Sequence, residues 1–486
     1  MKNQIQLITY VDRIGCSNFE ELNQLLQHEL SGLFGGVHVL PFFDPIDGED
    51  AGFDPIDHKK VDPRLGDWTN VGNLGQNMDI MADLIVNHVS ADSTEFKHFL
   101  EHGDDSEYAP LFLTFEKVFP QGANEEDLLS IYRPRPGFPF TKYRMADGTQ
   151  RLIWTTFTPK QIDIDVNSKS GLEYLDSILG LYQQAGISMI RLDAAGYAIK
   201  KPGTSCFMIP ETFDFIDELT QKAKTYGIEV LVEIHSYYKT QIKIAQKVDY
   251  VYDFALPVLV LDTLFNKTAK NLKHWLEIAP RNVVTVLDTH DGIGIVDVAS
   301  ENGQEGLIPD QTLEGIVDQI HKNSEERSRK ATGAAASNLD LYQVNCTYFE
   351  ALGKNENAYL IARAIQFFVP GVPQVYYVGV FGDENDMELL ASTNVGRDIN
   401  RHYYTKDEIL DKIGGDQFKK LSKLMKLRNG HEAFNGEFKL GETNEDSLEI
   451  TWTKEIEWIS LKVNLKNEKF EIKGTQMGKA ATLMSN

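Results

Sequence analysis

The sequence predicts an α/β protein: a (β/α)8 barrel with two loop insertions and a small C-terminal antiparallel β-domain. Eight short runs rich in β-branched and aromatic residues lack polar alternation, which is typical of strands buried on both faces of a parallel sheet. Helical periodicity lies between several of these runs, and strand–helix alternation with eight strands favours a barrel. The runs are residues 6–11, 36–43, 80–88, 187–193, 228–235, 249–256, 283–291 and 372–378.

Three helices are predicted by apolar residues at three- and four-residue spacing. They precede Gly186, Gly227 and Gly430, and we expect each glycine to end its helix in the left-handed conformation. After Gly430 the apolar residues alternate, which predicts antiparallel strands. The helical positions are Leu172, Leu175, Ile178, Leu179 and Tyr182, then Phe213, Ile216, Leu219 and Ala223, then Phe418, Leu421, Leu424 and Leu427.

A chain of 486 residues exceeds the size at which a single hydrophobic core stops growing, so several structural units are expected. The stretches that follow the third and seventh predicted strands are too long for simple connections, and both follow strand ends, where barrel active sites are assembled. We expect a barrel of residues 1–86, 168–291 and 353–432, insertions of residues 87–167 and 292–352, and a β-domain of residues 433–486.

The composition excludes several classes of function. A formal net charge of −24 repels nucleic acid and anionic membranes. No apolar run reaches the roughly 18 residues that span a bilayer, and no secretory signal stands out, so a cytoplasmic location is expected. Cys16, Cys206 and Cys346 are far apart, which argues against a disulfide framework and against a zinc site.

Charged residues and histidines end four of the predicted strands, at His88, Asp193, Glu233 and Asp291. Residues at the carboxyl ends of barrel strands converge on one pocket. One such residue is commonly a helix cap or a structural histidine, but four together predict a catalytic pocket. Three carboxylates without cysteine indicate either acetal chemistry, with one protonated and one ionised carboxyl, or an oxygen-ligated metal.

At these strand ends the sequence resembles the α-amylase superfamily of glycoside enzymes. Residues 83–88, residues 191–193 with Tyr197, Glu233, and residues 289–291 resemble its four conserved regions. Further stretches are similar to the sucrose phosphorylase subfamily, and this likeness covers nearly the whole predicted barrel and both insertions. These stretches are residues 6–10, 35–43, 203–207, 251–257, 375–379 and 396–404.

The resemblance implies that Asp193 is the nucleophile of a retaining reaction, Glu233 the general acid/base and Asp291 the stabiliser of the transition state. It also implies that Asp50 and Arg397 form a charged pair that closes the pocket around one glucose. The other residues that it places around the sugar are Phe53, His88, Phe157, Arg191, Tyr197 and His290.

A phosphorylase must hold phosphate where the leaving sugar departed. Arg133 and Arg135, in a loop stiffened by proline, are candidates, because arginine binds phosphate with a planar fork of donors. Asp340, Tyr342 and Gln343 follow a loop of small residues, and we hypothesise that this loop moves between a fructose-binding and a phosphate-binding position.

The resemblance implies transfer of glucose from sucrose to phosphate, giving α-D-glucose 1-phosphate and fructose with retention. No cofactor or metal is expected, since no clear cluster of oxygen ligands for calcium stands out near the first insertion, and a homodimer is plausible within the subfamily. The alternatives are phosphorylases of sucrose 6′-phosphate, glucosylglycerol or glucosylglycerate, a sucrose or α-glucoside hydrolase, and a non-catalytic binding domain. The last requires a membrane anchor and lost carboxylates, and the sequence has neither.

Overall fold

The structure, a computed structural model, describes residues 1–134, 137–335 and 343–486. Its centre is a closed barrel of eight parallel strands, labelled β1 to β8 in chain order. Each strand pairs with its neighbours in sequence, and β1 closes the barrel against β8, with Gln6 opposite Gln374. The strands are Gln6–Thr9, Gly36–Val39, Asp79–Ile85, Met189–Asp193, Glu229–Val232, Tyr250–Asp253, Val283–Thr285 and Val372–Tyr376.

The predicted fold class is confirmed, and the eight runs all contain barrel strands. Seven of the eight strands are shorter than predicted at their carboxyl ends, and β4 ends at Asp193 as predicted. β3 ends at Ile85, because His88 begins a separate strand, His88–Ser90, that pairs antiparallel with Gln161–Asp163. Glu233 and Asp291 likewise follow the regular strands, so they lie in the loops above the barrel.

Helices surround the barrel and also build the connections between its strands. The α-helices are Phe19–Gln27, Trp68–Gly75, Thr94–His102, Phe115–Val118, Glu125–Ser130, Lys169–Gln184, Pro210–Thr225, Tyr238–Ile244, Leu256–Asn266, Lys270–Ile278, Asp310–Asn323, Arg327–Ala335, Tyr348–Ala351, Glu356–Phe368, Tyr377–Phe381, Met387–Thr393, Lys406–Gly414 and Asp416–Gly430. The 3-10 helices are Val11–Arg13, Glu49–Ala51, Gly103–Asp105, Ala109–Leu111, Ala195–Tyr197, Gly396–Asn400 and Glu432–Asn435.

The prediction that a left-handed glycine follows each of three helices is right for two helices and wrong for the third. Gly186 and Gly227 follow their helices with φ of 76° and 72°, the left-handed conformation that glycine adopts without strain. Gly430 instead remains the last residue of its helix, and the extended His431 ends it. Leu172 also departs from the apolar pattern, since its side chain is half exposed on the outer face of Lys169–Gln184.

The long stretches after β3 and β7 contain their own small sheets. The first has a hairpin, Phe140–Arg144 with Gln150–Trp154, and the second a short pair, Ile293–Gly294 with Gln343–Val344. A separate apolar cluster joins the first stretch to the loop after β4, which contributes Cys206. Its buried members are Leu113, Val118, Phe119, Ile131, Trp154 and Cys206.

The C-terminal part is a five-stranded antiparallel sheet, as the alternation predicted. It contacts the barrel through Trp452, whose Nε1 donates to the carbonyl of Phe368 at 2.7 Å. Within the described ranges, none of the helices combines the length and the apolar character that crossing a bilayer requires. The strands of the sheet are Glu437–Leu440, Ser447–Lys454, Glu457–Asn464, Lys469–Gln476 and Lys479–Ser485.

Candidate active site

Arg191 is the charged centre of the site. It precedes Asp193 by two residues on β4, so both side chains point to the same side of the strand. Its Nη1 lies 2.5 Å from Asp83 Oδ1 and 2.8 Å from Asp193 Oδ1. Its Nη2 lies 3.9 Å from Glu233 Oε2. One buried guanidinium therefore holds three carboxylates together.

Asp83 supports this guanidinium from β3 and was not among the predicted site residues. The His38 ring lies 3.0 Å from its second carboxylate oxygen. Burial alone would raise the pKa of Asp83, but His38 and Arg191 lower it to about 2. Asp83 is therefore a fixed negative charge that orients Arg191. Its position as a charged residue inside an apolar strand was the signal that could have found it.

Asp193 and Glu233 face each other across Arg191. Burial and the neighbouring Glu233 raise the pKa of Asp193 to about 8, although Arg191 acts in the opposite direction. At neutral pH the two carboxyl groups therefore share one proton. Arg191 lies closer to Asp193 than to Glu233, at 2.8 Å against 3.9 Å, which favours the negative charge of the pair on Asp193. This is the pairing of one ionised and one protonated carboxyl that glycoside cleavage needs.

Asp291 is surrounded by arginines that come from the loop after β8. Arg397 Nη1 lies 2.9 Å from Asp291 Oδ1 and 3.0 Å from Asp50 Oδ2. Arg401, which the sequence did not single out, lies 3.2 Å from Asp50 Oδ1 and donates to the carbonyl of His290. Burial would raise the pKa of Asp291, but Arg397, with Arg191 and Arg401, holds it well below its usual range. Asp291 is thus a permanent negative charge.

Aromatic and imidazole rings also contribute to the site, and the Phe53 ring lies 5.5 Å from the Arg191 guanidinium. Phe53 stacks on His290 with 5.0 Å between ring centroids, and Phe157 lies 5.4 Å from His88 and 5.0 Å from Tyr197. Burial lowers the pKa of His290 to about 3, so its ring is neutral. Among the described residues His290 Nδ1 has no hydrogen-bond partner, which leaves a polar atom for a ligand or a water molecule.

His88 is also buried, and burial lowers its pKa. Its Nε2 lies 2.9 Å from the carbonyl of Phe53, so this nitrogen carries the proton and donates it. The His88 ring therefore connects the first insertion to the loop after β2, which contains Phe53. Its predicted contact with a glucose hydroxyl remains a prediction.

The predicted acceptor residues are only partly covered by the structure. Arg135, Asp340 and Tyr342 lie outside the described residues. Arg133 is described, and its Nη1 donates to the carbonyl of Gly137 at 3.2 Å. Gln343 is buried, with its amide nitrogen 3.1 Å from His235 Nε2. His235, together with Asp297, is a site neighbour that sequence reasoning did not assign.

A lysine ammonium occupies a cluster of oxygen atoms beside the first insertion. Lys200 Nζ lies 2.8 Å from Asn87 Oδ1 and 2.8 Å from Asp163 Oδ2, and it also contacts the carbonyl of Tyr197. These oxygens come from the two ends of the first insertion, at Asn87 and Asp163, and from the loop after β4. Sequence reasoning found no oxygen cluster here because the three atoms are distant in the chain. Lys200 supplies the positive charge that joins these segments.

One group in the described residues has metal-ligand spacing. Single ligand atoms of Glu233, His235 and Asp291 lie within 4.8 Å of one another. Arg191 and Arg397 already neutralise the two carboxylates of this group, at 3.9 Å and 2.9 Å. The arrangement therefore suits acid–base chemistry with charge compensation by arginine.

Residues 32–306 match the family model described as "Alpha amylase, catalytic domain". The chain belongs to the alpha-amylase family. This membership confirms the resemblance that the strand-end motifs indicated.

Within the alpha-amylase family, the chain is similar along its whole length to proteins named sucrose phosphorylase. That of Agrobacterium vitis is 59% identical over 473 residues, which cover 97% of each chain. That of Bifidobacterium adolescentis is 53% identical over 458 residues, which cover 94% of this chain and 91% of the relative. Among solved structures, sucrose 6F-phosphate phosphorylase from Thermoanaerobacter thermosaccharolyticum is similar with a TM-score of 0.92 and 39% identity, covering 99% of this chain and 97% of that one.

Proposed function

We propose that this chain is a sucrose phosphorylase, which transfers glucose from sucrose to phosphate with retention and releases fructose. The single observation that carries this choice of substrates is the 59% identity, over 97% of both chains, with a protein of that name. The geometry around Arg191 supports the chemistry, since it holds one carboxyl suited to attack and one suited to donate a proton.

In the first step of the proposed mechanism, Asp193 attacks the anomeric carbon of glucose. Glu233 protonates the bridging oxygen, so that fructose leaves as an alcohol and a glucosyl ester forms on Asp193. Asp291, kept ionised by Arg397 at 2.9 Å, stabilises the positive charge that develops on the sugar ring. Asp50 and Arg397, 3.0 Å apart, close the far end of the pocket around a single glucose.

In the second step, phosphate attacks the same carbon and displaces Asp193, while its proton passes to the Glu233 carboxylate. Two inversions give the α-configured glucose 1-phosphate. Arg135 stays our candidate for the phosphate, with Asp340, Tyr342 and Gln343 on the acceptor side. We propose that residues 1–86, 168–291 and 353–432 form the catalytic barrel, and that residues 87–167 and 292–352 form the walls of its pocket, with residues 433–486 outside it.

The test of this function is the product formed from sucrose with and without phosphate. We expect glucose 1-phosphate and fructose in equal amounts with phosphate, and free glucose at less than about a tenth of that rate without it. Equal release of free glucose in both conditions would make the protein a hydrolase. Turnover of sucrose 6′-phosphate but not of sucrose would favour the second candidate, which the similarity to the sucrose 6F-phosphate enzyme supports at lower identity, 39%.

The rate of the first step is expected to fall as the pH rises through about 8. The pKa of Asp193 is raised to about 8, so above that pH the Asp193–Glu233 pair loses its shared proton and no acid remains for fructose. The measurement is kcat/KM for sucrose between pH 6 and pH 10. A rate that stays constant to pH 10 would contradict the shared proton.

We also propose a cytoplasmic location, which the free, buried state of Cys16, Cys206 and Cys346 supports. A homodimer stays a prediction, to be measured by light scattering.

A further inference from the structure

His235 lies between the proposed acid/base residue and the second insertion, and it has no part in the mechanism given above. Its Nε2 lies 3.7 Å from Glu233 Oε1. Its Nδ1 lies 2.8 Å from Oδ2 of Asp297, a fully buried residue of the second insertion. Asp297 thus contacts the edge of the imidazole ring that points away from the pocket.

Asp297 is itself held in one position. Its other carboxylate oxygen accepts hydrogen bonds from the backbone of Ser236 at 3.1 Å and from the side-chain amide of Gln241 at 2.7 Å. Gly294 packs directly on the pair, because a Cβ atom there would lie 2.2 Å from Asp297 Oδ2. These contacts fix the orientation of the Asp297 carboxylate, so that its Oδ2 points at Nδ1 of His235.

The His235 ring is fixed by stacking as well as by Asp297. The Phe254 ring lies 3.8 Å away and almost parallel, at 15°. Rotation of the imidazole is therefore blocked, and only Nε2 faces the pocket. In the neutral ring Nε2 accepts from Gln343, whose amide nitrogen lies 3.1 Å away. In the charged ring Nε2 donates, so the Gln343 amide turns its oxygen towards Nε2 or a bound phosphate oxygen takes that place, while Glu233 Oε1, at 3.7 Å, acts through its charge.

Three carboxylates of the described residues face His235. They are Asp297 from the second insertion, Glu233 after β5 and Asp291 after β7. Burial alone would lower the pKa of His235, but Asp297 first, then Glu233 and Asp291, raise it above its ordinary value. The surroundings therefore favour the imidazolium.

We propose that Asp297 is a positioning residue that keeps His235 aimed at Glu233 and positively charged, so that the acceptor side of the pocket favours the phosphate dianion over water. This inference rests on the proposed function. In the glucosyl-enzyme Glu233 has given up its proton, and its carboxylate repels an incoming anion. A cation 3.7 Å from that carboxylate offsets the repulsion for phosphate and has no such effect on neutral water.

The step that this pair assists is the second displacement. An oxygen of hydrogen phosphate forms the bond to the anomeric carbon as the bond to Asp193 breaks, and the proton of the acceptor passes to Glu233. His235 keeps its proton throughout and acts only through its charge and its hydrogen bond. When water is the acceptor, it attacks the same carbon and gives its proton to Glu233, but it carries no charge for His235 to stabilise.

The variant that tests the pair is Asp297→Asn. The amide oxygen retains the hydrogen bonds from Ser236 and Gln241, and its NH2 group then faces His235 Nδ1. A donor at that position favours the neutral ring. We expect the KM for phosphate to rise and the ratio of glucose 1-phosphate to free glucose to fall, both by about tenfold. Hydrolysis of sucrose without phosphate should change less than about threefold.

The matched control is Asp262→Asn, which alters another buried carboxylate that accepts two side-chain amide hydrogen bonds, from Asn266 and Asn271, outside the site. It should leave the product ratio unchanged. A parallel loss of both products in Asp297→Asn, or an unchanged ratio, would overturn the proposal. Absence of glucose 1-phosphate from the unmodified enzyme would instead refute the proposed function.

A second measurement needs no variant. With the hydrogen phosphate dianion held at a fixed concentration, the product ratio of the unmodified enzyme should fall as His235 loses its proton, above its ordinary pKa of about 6.5. The slowing of the first step above pH 8 affects both products equally and cancels in the ratio. A ratio independent of pH from 6 to 9 would overturn the proposal.

Discussion

Replacing Asp193 with alanine is expected to abolish phosphorolysis of sucrose, with a loss in kcat of at least about 10,000-fold. Arg191 would keep its contact with Asp83 at 2.5 Å, so the site loses its nucleophile and not its central cation. The measurement is formation of glucose 1-phosphate from sucrose and phosphate. Asp193→Asn, which keeps the shape of the side chain, should lose a similar factor.

The fold should survive this change. The pKa of Asp193 is raised to about 8 in the folded protein, and the proton that is kept up to this pH is shared with Glu233, so ionisation of the pair opposes folding as the pH rises from about 4 to 8. Asp193→Asn removes that opposition, and its unfolding temperature at pH 7 should equal or exceed that of the unmodified enzyme. Residual activity above about one per cent in a folded variant would assign the attack to another group.

The barrel was predictable because its signals are local. Runs such as residues 187–193 are rich in apolar residues and lack regular polar alternation, since β4 is buried by strands on both sides and by packing on both faces. The strand ends were less predictable. β3 stops before His88, because that residue pairs with Asp163, which lies far along the chain. Gly430 was misjudged because a glycine can also be the last helical residue, with an extended residue ending the helix.

The site residues that lie at or just after the ends of predicted strands could be found from the sequence. Asp193 and Glu233 stand beside recognisable strands, and the structure brings both near Arg191. Arg401 was missed because its partner Asp50 is distant in sequence, and the two meet only after the barrel closes. Lys200 and Asp297 were missed for the same reason, since each acts through atoms from another segment.

Replacing Glu233 with glutamine is expected to slow the reaction of different substrates to different extents, according to the leaving group of each substrate. Fructose must be protonated as it departs, so kcat/KM for sucrose should fall by roughly 1,000-fold or more. Fluoride leaves without a proton, so the first step with α-D-glucosyl fluoride should lose less than about tenfold. The measurement is the initial burst of fluoride against fructose release from sucrose. Asp193 still forms the ester in this variant, because Arg191 lies 2.8 Å from it and holds its charge.

The same variant tests the second step. Glutamine cannot accept the proton of water, so the glucosyl ester should accumulate, and mass spectrometry of digested protein should find it on the peptide that contains Asp193. Azide needs no base and should restore turnover. Glu229→Gln is the matched control, because Glu229 lies on the same strand, β5, at the end opposite Glu233. Equal losses with sucrose and glucosyl fluoride would show that Glu233 acts on the sugar itself and is not the acid. His235 would then be the first candidate for the acid, since its Nε2 lies 3.7 Å from Glu233 Oε1.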